Sequence, residues 1–177
     1  SGTLRRRLTP LQTFERTWAR TGRWAQVVAP PARPPATAEP LAWLAAANEL
    51  EQIGGTRAAL PAYRAATARW PRSGTAWMLR GNGAWSTESF DEARTAFTRA
   101  AELEPDAPGG WNNLAYALER TGCGRAAVEA ARCAVRLAPD DPGPRDTLGE
   151  IESMAASADE GACAIPACPV EGGRTTK

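Results

Sequence analysis

Two consecutive stretches decide the fold: GTAWMLRGNGAWSTESFDEARTAFTRAAELEPDA, residues 74–107, and PGGWNNLAYALERTGCGRAAVEAARCAVRLAPDD, residues 108–141. Aligned without a gap, they place Trp, Ala and Pro at the same positions, and the pattern extends back to residue 40. The residues that recur every 34 positions are Trp43, Trp77 and Trp111; Ala59, Ala93 and Ala127; Tyr63, Phe97 and Ala131; Ala66, Ala100 and Ala134; and Pro71, Pro105 and Pro139. A fixed period of this kind is typical of repeat architectures.

Within each unit the pattern predicts two antiparallel helices. The large tryptophan of the first helix needs small residues opposite it on the second, and the alanines supply them. Each proline ends the second helix because it lacks a backbone donor. Gly54, Gly81 and Gly122 are expected at turns or close contacts. We predict helices over about 40–53, 56–69, 74–86, 90–103, 108–121 and 124–138.

Residues 40–141 resemble the tetratricopeptide repeat (TPR) family in period and in the placement of Trp, Ala and Pro. The resemblance implies an all-α, right-handed solenoid of three helix-turn-helix repeats, at residues 40–73, 74–107 and 108–141, with a concave face. Leu148 and Gly149 then fall where the first helix of a fourth unit would place them, and no second helix follows. We therefore expect a C-terminal capping helix, about 143–156 within the segment 142–157, and an irregular tail over 158–177.

All four cysteines lie in the last third of the chain: Cys123, Cys133, Cys163 and Cys168. Cys133 follows Cys123 by about ten residues, roughly 15 Å at the rise of a helix, so they should not pair with each other. One hypothesis is two disulfides, each from the third repeat to the tail, in an oxidising compartment. In the alternative, Cys123 and Cys133 are small buried residues, and Cys163 and Cys168 are either free or bonded to each other. No metal site is expected, because the chain has no His and the spacings fit no all-cysteine zinc site.

The first 39 residues do not follow the repeat. Thr9 and Pro10 predict the start of a helix over about 10–19. A short apolar run predicts a strand over about 23–29, followed by a Pro-rich linker at 30–39. One helix and one strand cannot form a domain alone. We therefore expect this N-terminal arm to dock on a partner through Trp18, Trp24, Val27 and Val28.

Charge and hydropathy exclude several classes of function. The net charge of the 177-residue chain is +1, although the arm carries seven Arg against Glu15 and Glu39. No pattern of aromatic and basic residues continues into the repeats, so we expect no nucleic-acid partner. No apolar run is long enough to span a membrane, and the first residues lack the apolar core of a signal peptide. We expect a soluble domain, whose membrane association, if any, comes through a partner or a lost lipid anchor.

A second resemblance involves the arm. SGTLRRRLT (1–9), FERTWAR (14–20), GRWA (22–25), Val27-Val28, Pro30-Pro31 and PATA (35–38) resemble the end of the peptidase domain in bacterial papain-like cysteine peptidases. These are relatives of the bacteriocin-leader (double-glycine) peptidases, and one branch carries a C-terminal TPR extension. The resemblance implies export to the bacterial envelope or periplasm. It also implies a catalytic Cys and His upstream of the matched segment, so none of the four cysteines of this chain inherits the nucleophile role.

Other catalytic roles lack the residues they need. The chain has no His, and its one lysine is Lys177, so a general base near neutral pH is not evident. Its Gly-containing stretches are not followed by the Lys and Ser or Thr of a phosphate loop. We therefore expect a non-enzymatic chain with no cofactor.

Binding to a protein partner is the function that the repeats favour. In TPR arrays the concave face is lined by the first helix of each unit, at positions two, five, nine, twelve and thirteen. From this register we predict a peptide-binding face formed by Leu44, Asn48, Gln52, Met78, Asn82, Trp85, Asn112, Tyr116 and Arg120. Amides can donate to and accept from an extended backbone, and Met and aromatic side chains add adaptable apolar contact. Leu44 and Met78 stand where Lys or Arg would be needed to hold an acidic C-terminal peptide, so such a partner is not expected.

Two functions stay open at this point. In the first, the chain is a scaffold or accessory subunit that binds a peptide or partner subunit through its concave face. In the second, it is the C-terminal fragment of an exported papain-like cysteine peptidase whose catalytic domain lies upstream. A structural alternative for Met78 and Trp85 is that they pack against another segment of the same chain, such as the arm.

Overall fold

The computed structural model describes residues 39–154 and 163–169, apart from the side chains of residues 53 and 54. Within these ranges the chain forms seven α-helices and no strand. The helices are α1 (Pro40–Gly54), α2 (Thr56–Arg69), α3 (Gly74–Ser86), α4 (Phe90–Leu103), α5 (Pro108–Arg120), α6 (Gly124–Leu137) and α7 (Pro142–Met154). Consecutive helices pack on each other along the whole series. The predicted all-α repeat solenoid is therefore confirmed. The predicted arm helix and strand lie outside the described residues.

The repeated Trp and Pro residues form one hydrogen bond that recurs between units. The indole nitrogen of Trp77 donates to the carbonyl oxygen of Pro71 at 2.9 Å, and that of Trp111 donates to Pro105 at 2.8 Å. Each bond ties the first helix of one unit to the segment that ends the unit before it. The indole nitrogen of Trp43 instead donates to the carbonyl oxygen of Ala62 on α2 at 3.1 Å.

Small residues let the helices approach closely. The ring of Phe97 on α4 lies so near Gly81 that a Cβ at that position would be 2.4 Å from the ring. Phe97 is 2% exposed, so the ring has little space to move away. Gly122 ends α5 at φ +78°, a left-handed conformation that glycine adopts without the strain of a side chain. Gly81 thus lies at a close contact between helices and Gly122 at a turn, the two kinds of position predicted for the glycines.

The core is divided into two clusters. The first surrounds Trp43 and Tyr63 and is confined to the first unit and Ala76 of α3. The second extends from Leu60 on α2 through the second and third units to α7, and it includes Trp111, which is fully buried. Ile151 of α7 is also fully buried in the second cluster. The capping helix thus covers the apolar edge of the third unit, as such a helix must in a short solenoid.

A polar network ties the first two units together. Glu92 on α4 accepts from Arg80 Nε on α3 at 2.8 Å and from Arg64 Nε on α2 at 2.9 Å. Arg80 also donates to the buried Thr67 hydroxyl at 3.0 Å. Arg80 stands at the register position that Leu114 occupies in the third unit. A charge at this half-buried position needs hydrogen-bonding partners, and Glu92 and Thr67 supply them.

The described part of the tail lies along α6 as an extended segment. Cys163 is bonded to Cys123 and Cys168 to Cys133, with Cα–Cα distances of 5.8 and 5.9 Å. Ten residues of helix rise about 15 Å, and five extended residues span about 17 Å. The two cysteine spacings therefore match, and the bridges join the third repeat to the tail as the first cysteine hypothesis predicts. The tail also borders a cavity of about 510 Å³ whose opposite wall is formed by α4.

Candidate partner-binding face

Side chains of three alternate helices meet on one side of the solenoid. We call the surface formed by Met78, Asn82 and Trp85 of α3, Asn113 and Tyr116 of α5, and Glu150 of α7 the inner face. Contacts between these first helices of successive units connect its members side by side. The second helices, α2, α4 and α6, form the opposite layer.

Two amides bridge α3 and α5 on the inner face. Asn113 Nδ2 donates to Asn82 Oδ1 at 3.2 Å and lies 3.6 Å from the sulfur of Met78. The methyl group of Met78 lies near Gly109 and Gly110, where a Cβ would be 3.9 and 3.8 Å from it, within ordinary contact distance. An amide carries two donors and one acceptor oxygen, so this pair keeps hydrogen-bonding capacity beyond its mutual bond.

An aromatic series runs beside the amides. The Trp85 ring lies 5.1 Å from Phe90 in an edge-on arrangement and 6.2 Å from Tyr116 in a tilted one. The guanidinium of Arg120 lies over the Phe90 ring at 4.4 Å. Such packing holds large, half-buried rings in fixed positions, and they offer apolar area at low entropic cost.

The series ends in a carboxylate. Tyr116 donates its hydroxyl to Glu150 Oε2 at 2.7 Å, across residues separated by 34 positions. Burial is the main cause that raises the pKa of the Tyr116 phenol; Thr147 acts against it, and the bond to Glu150 adds to it. The phenol therefore stays protonated at neutral pH and holds one oxygen of Glu150 in place.

The structure corrects the prediction for Leu44. Its side chain is 4% exposed and lies in the first core cluster with Trp43 and Ala76. The register places Leu44 on the inner side of α1. Small alanines on the neighbouring helices leave room for its side chain in the core. Burial of its apolar surface there is favourable. It is therefore a core residue and lines no accessible surface.

The other predicted residues are distributed as follows. Met78, Asn82, Trp85 and Tyr116 come together on the inner face, and Arg120 joins them through Phe90. Asn48 and Gln52 are exposed on α1. Asn112 is partly buried, and its Oδ1 atom is enclosed without a hydrogen-bond partner among the described residues. The docking residues proposed for the arm, Trp18, Trp24, Val27 and Val28, lie outside the described residues.

Sequence reasoning missed three members of this region, Phe90, Asn113 and Glu150. A signal for Glu150 was present, because Asn48, Asn82, Tyr116 and Glu150 share one phase of the 34-residue period. Continuing the register into the capping helix would have found it. Asn113 stands one position from the expected inner position of Asn112, a difference that a repeat register does not resolve.

Metal sites, free thiols and membrane-spanning helices are absent from the described residues. These residues hold no group of three or more His, Cys, Asp or Glu side chains placed to bind a metal ion. All four cysteines are bonded in disulfides. In the same ranges, no helix has the length and apolar character needed to cross a membrane.

The repeat region of this chain matches a known protein-family model. The family model described as "Tetratricopeptide repeat" matches residues 44–93 and 80–142, which together exceed half of the chain. The chain belongs to the tetratricopeptide repeat family. The TPR match begins at residue 44, so it does not reach the segment on which the peptidase resemblance rests, and that resemblance gains no support.

Solved structures agree with the TPR assignment. The fold is similar to the first TPR domain of Spaghetti (RPAP3), determined with the HSP90 peptide SRMEEVD bound. The TM-score is 0.61 with 16% sequence identity, and the match covers 67% of this chain and 94% of that chain. No curated protein matches this TPR sequence. The likeness at this identity concerns the fold.

Proposed function

We propose that this TPR chain is a non-catalytic interaction module that binds a peptide segment of a partner protein on its inner face. One observation carries the proposal: the bridging amides of Asn82 and Asn113 lie beside the aromatic pair of Trp85 and Tyr116. Amide groups can bond to a peptide backbone, while the rings and Met78 accept apolar side chains. This combination is typical of grooves that recognise an extended segment or one face of a helix.

The chemistry of the remaining side chains supports a binding role. All four cysteine sulfurs are in disulfides, so none of them is a thiolate nucleophile. The chain has no His, and its one lysine is the terminal Lys177. General bases near neutral pH are most often histidines, or carboxylates and lysines with shifted pKa values. The described carboxylate with a resolved shift, Glu92, has a lowered pKa because it accepts from Arg64, and a weaker base is unsuited to that task.

The disulfides support a location in an oxidising compartment, such as the bacterial periplasm. Bridges of this kind persist outside the reducing cytosol. One bridge holds the tail to Cys123, immediately before α6, and the other to Cys133 on α6, in the layer opposite the inner face, so they stabilise the third unit without covering the inner face. The partner is then expected in the same compartment.

The inner face does not favour an acidic peptide of the kind bound to Spaghetti (RPAP3). That peptide, SRMEEVD, ends in acidic residues. Here Leu44 is buried and Met78 is apolar, while the guanidinium of Arg120 is stacked on Phe90. A carboxylate clamp needs free guanidinium or ammonium groups that converge on one point.

The test is site-specific photo-crosslinking with the full chain. A diazirine-bearing aliphatic amino acid, close in size to methionine, is placed at position 78, on the inner face, or at position 129, which is exposed on α6 in the opposite layer. Each protein is irradiated in an extract of its native cells. We expect one defined protein adduct from position 78 and none in common with position 129. Equal labelling from both positions, or labelling from position 129 alone, would contradict the proposal.

A further inference from the structure

We propose that the bound segment carries an arginine or lysine close to an apolar side chain, and that the capping helix receives this cation through Asp146 and Glu150. This inference rests on the function proposed above and adds the chemistry of the partner. It assigns α7 a second role besides covering the core. The apolar side chain would contact Met78 and Trp85.

The register places both carboxylates on the inner side of α7. Asp146 continues the phase of Met78 and Asn112, and Glu150 continues that of Asn82 and Tyr116. Both residues are exposed. They act on Tyr116 as neighbouring negative charges, which raises the pKa of its phenol beyond the effect of burial. Glu150 is bonded to Tyr116, and Asp146 lies one helical turn before Glu150 on α7, so the two carboxylates form the acidic end of the aromatic series.

Nearby cations are engaged elsewhere. Arg145 donates to the carbonyl oxygen of Pro139, Arg132 pairs with Glu152 at 2.8 Å, and Arg120 is stacked on Phe90. None of these three contacts involves Asp146 or Glu150. The carboxylates of Asp146 and Glu150 are therefore not paired with these three guanidiniums, and carboxylates without such a partner attract basic segments.

Glu150 is oriented for a charged partner. Tyr116 holds its Oε2 atom at 2.7 Å, and a carboxylate has about four acceptor positions in total. The remaining positions suit a guanidinium, whose planar fork bonds to carboxylates in a bidentate manner. Tyr116 also separates Glu150 from Trp85. Because an extended chain rises about 3.3 Å per residue, roughly two to four residues would connect the cation to its apolar neighbour.

The test begins with a phage-displayed library of random 12-residue peptides, selected on the full, oxidised chain at low salt. We expect enrichment of Arg or Lys two to four positions from an aromatic or aliphatic residue. The best peptide is then synthesised, and its dissociation constant is measured by fluorescence anisotropy. Ion pairs between exposed carboxylates and a cation contribute modestly to the binding free energy. We therefore expect Asp146→Asn combined with Glu150→Gln to weaken binding about 5–10-fold. In that variant, added salt should weaken binding less than in the wild type.

Two further variants separate the possible failures. Glu129→Gln removes an exposed carboxylate from α6 in the opposite layer, and it should leave affinity unchanged. Asn82→Tyr introduces a bulky, uncharged side chain on the inner face, and it should weaken binding at least as much as the double variant. If Asn82→Tyr weakens binding but the double variant does not, or if acidic peptides are enriched, the basic partner is refuted while inner-face binding stands. If neither variant affects affinity, both proposals fail.

Discussion

The indole nitrogens of Trp77 and Trp111 explain why tryptophan and proline recur together in this chain. Each donates to the carbonyl of the proline that ends the preceding unit. The proline removes a backbone donor and stops the helix, and its free carbonyl then accepts a bond from the next unit. One residue pair therefore sets both the end of one unit and the position of the next.

At the same scale, two glycines at one register position should respond oppositely to alanine. Gly81→Ala forces a methyl group into the buried Phe97 ring, which should lower the free energy of unfolding by about 1–3 kcal/mol. A Cβ at Gly149, an exposed position of α7, would have no atom within 4 Å. Gly149→Ala should therefore raise the free energy of unfolding by about 0.5–1 kcal/mol. Urea unfolding at neutral pH measures both. Equal effects of the two substitutions would contradict the packing described here.

Glu92 gives the chain a predictable acid sensitivity. The bond from Arg64 is the main cause that lowers the pKa of Glu92, opposed by burial and assisted by Arg80. A carboxylate whose pKa is lowered on folding stabilises the folded state above its unfolded pKa, and this contribution is lost as the pH falls through the folded value. The loss should occur below about pH 4.3, the ordinary pKa of glutamate.

The matched variants are Glu92→Gln and Asp91→Asn, adjacent on α4, of which Asp91 is 85% exposed. Glu92→Gln should cost about 1–3 kcal/mol at pH 7 and flatten the acid side of the stability curve. Asp91→Asn should change stability by no more than about 0.5 kcal/mol and keep the wild-type curve. Urea midpoints measured from pH 3 to 7 report both effects. If Glu92→Gln loses stability at low pH as steeply as the wild type does, the Glu92 network is not the cause of that loss.

At the scale of elements, the tail and the capping helix protect different sides of the third unit. α7 covers the end of the core with Ile151, and the bridged segment 163–169 packs Cys163, Ile165 and Cys168 against the same cluster. The inner face is left to α3, α5 and α7. The bridged tail and the inner face thus lie on opposite layers of the solenoid, while α7 contributes both to the core, through Ile151, and to the inner face.

Reduction should therefore weaken the fold measurably. Closing loops of 40 and 35 residues is expected to contribute about 2–4 kcal/mol per bridge. We predict that a thiol reductant lowers the urea midpoint of the wild-type chain. In Cys163→Ala combined with Cys168→Ala, the reductant should have no effect on the midpoint. A wild-type midpoint that is insensitive to reductant would contradict a structural role for these bridges.

Particular elements show what the sequence could and could not predict. The Trp, Ala and Pro register sufficed for the helices, since it reports packing between neighbours that are close in sequence. The pairing of Cys123 with Cys163 was open, because the path of an irregular tail depends on contacts that no periodicity encodes. Leu44 was placed wrongly since register assigns a side of a helix, whereas burial depends on the small residues that face it.

At the scale of the whole molecule, three units and a cap produce two layers with different chemistry. The first helices carry amides, aromatic rings and, at the last position, carboxylates. The second helices carry the alanine-rich core contacts and the disulfides to the tail. This asymmetry is the basis for assigning binding to the inner face.

Hydrogen-exchange mass spectrometry of the full, oxidised chain, with and without its best selected peptide, locates the bound peptide on one layer of the solenoid. We expect slower exchange in α3, α5 and α7, where the peptide contacts the inner face, and unchanged exchange in α4 and α6. Protection confined to α4, α6 or the bridged segment 163–169 would contradict inner-face binding, since binding would then take place on the opposite layer.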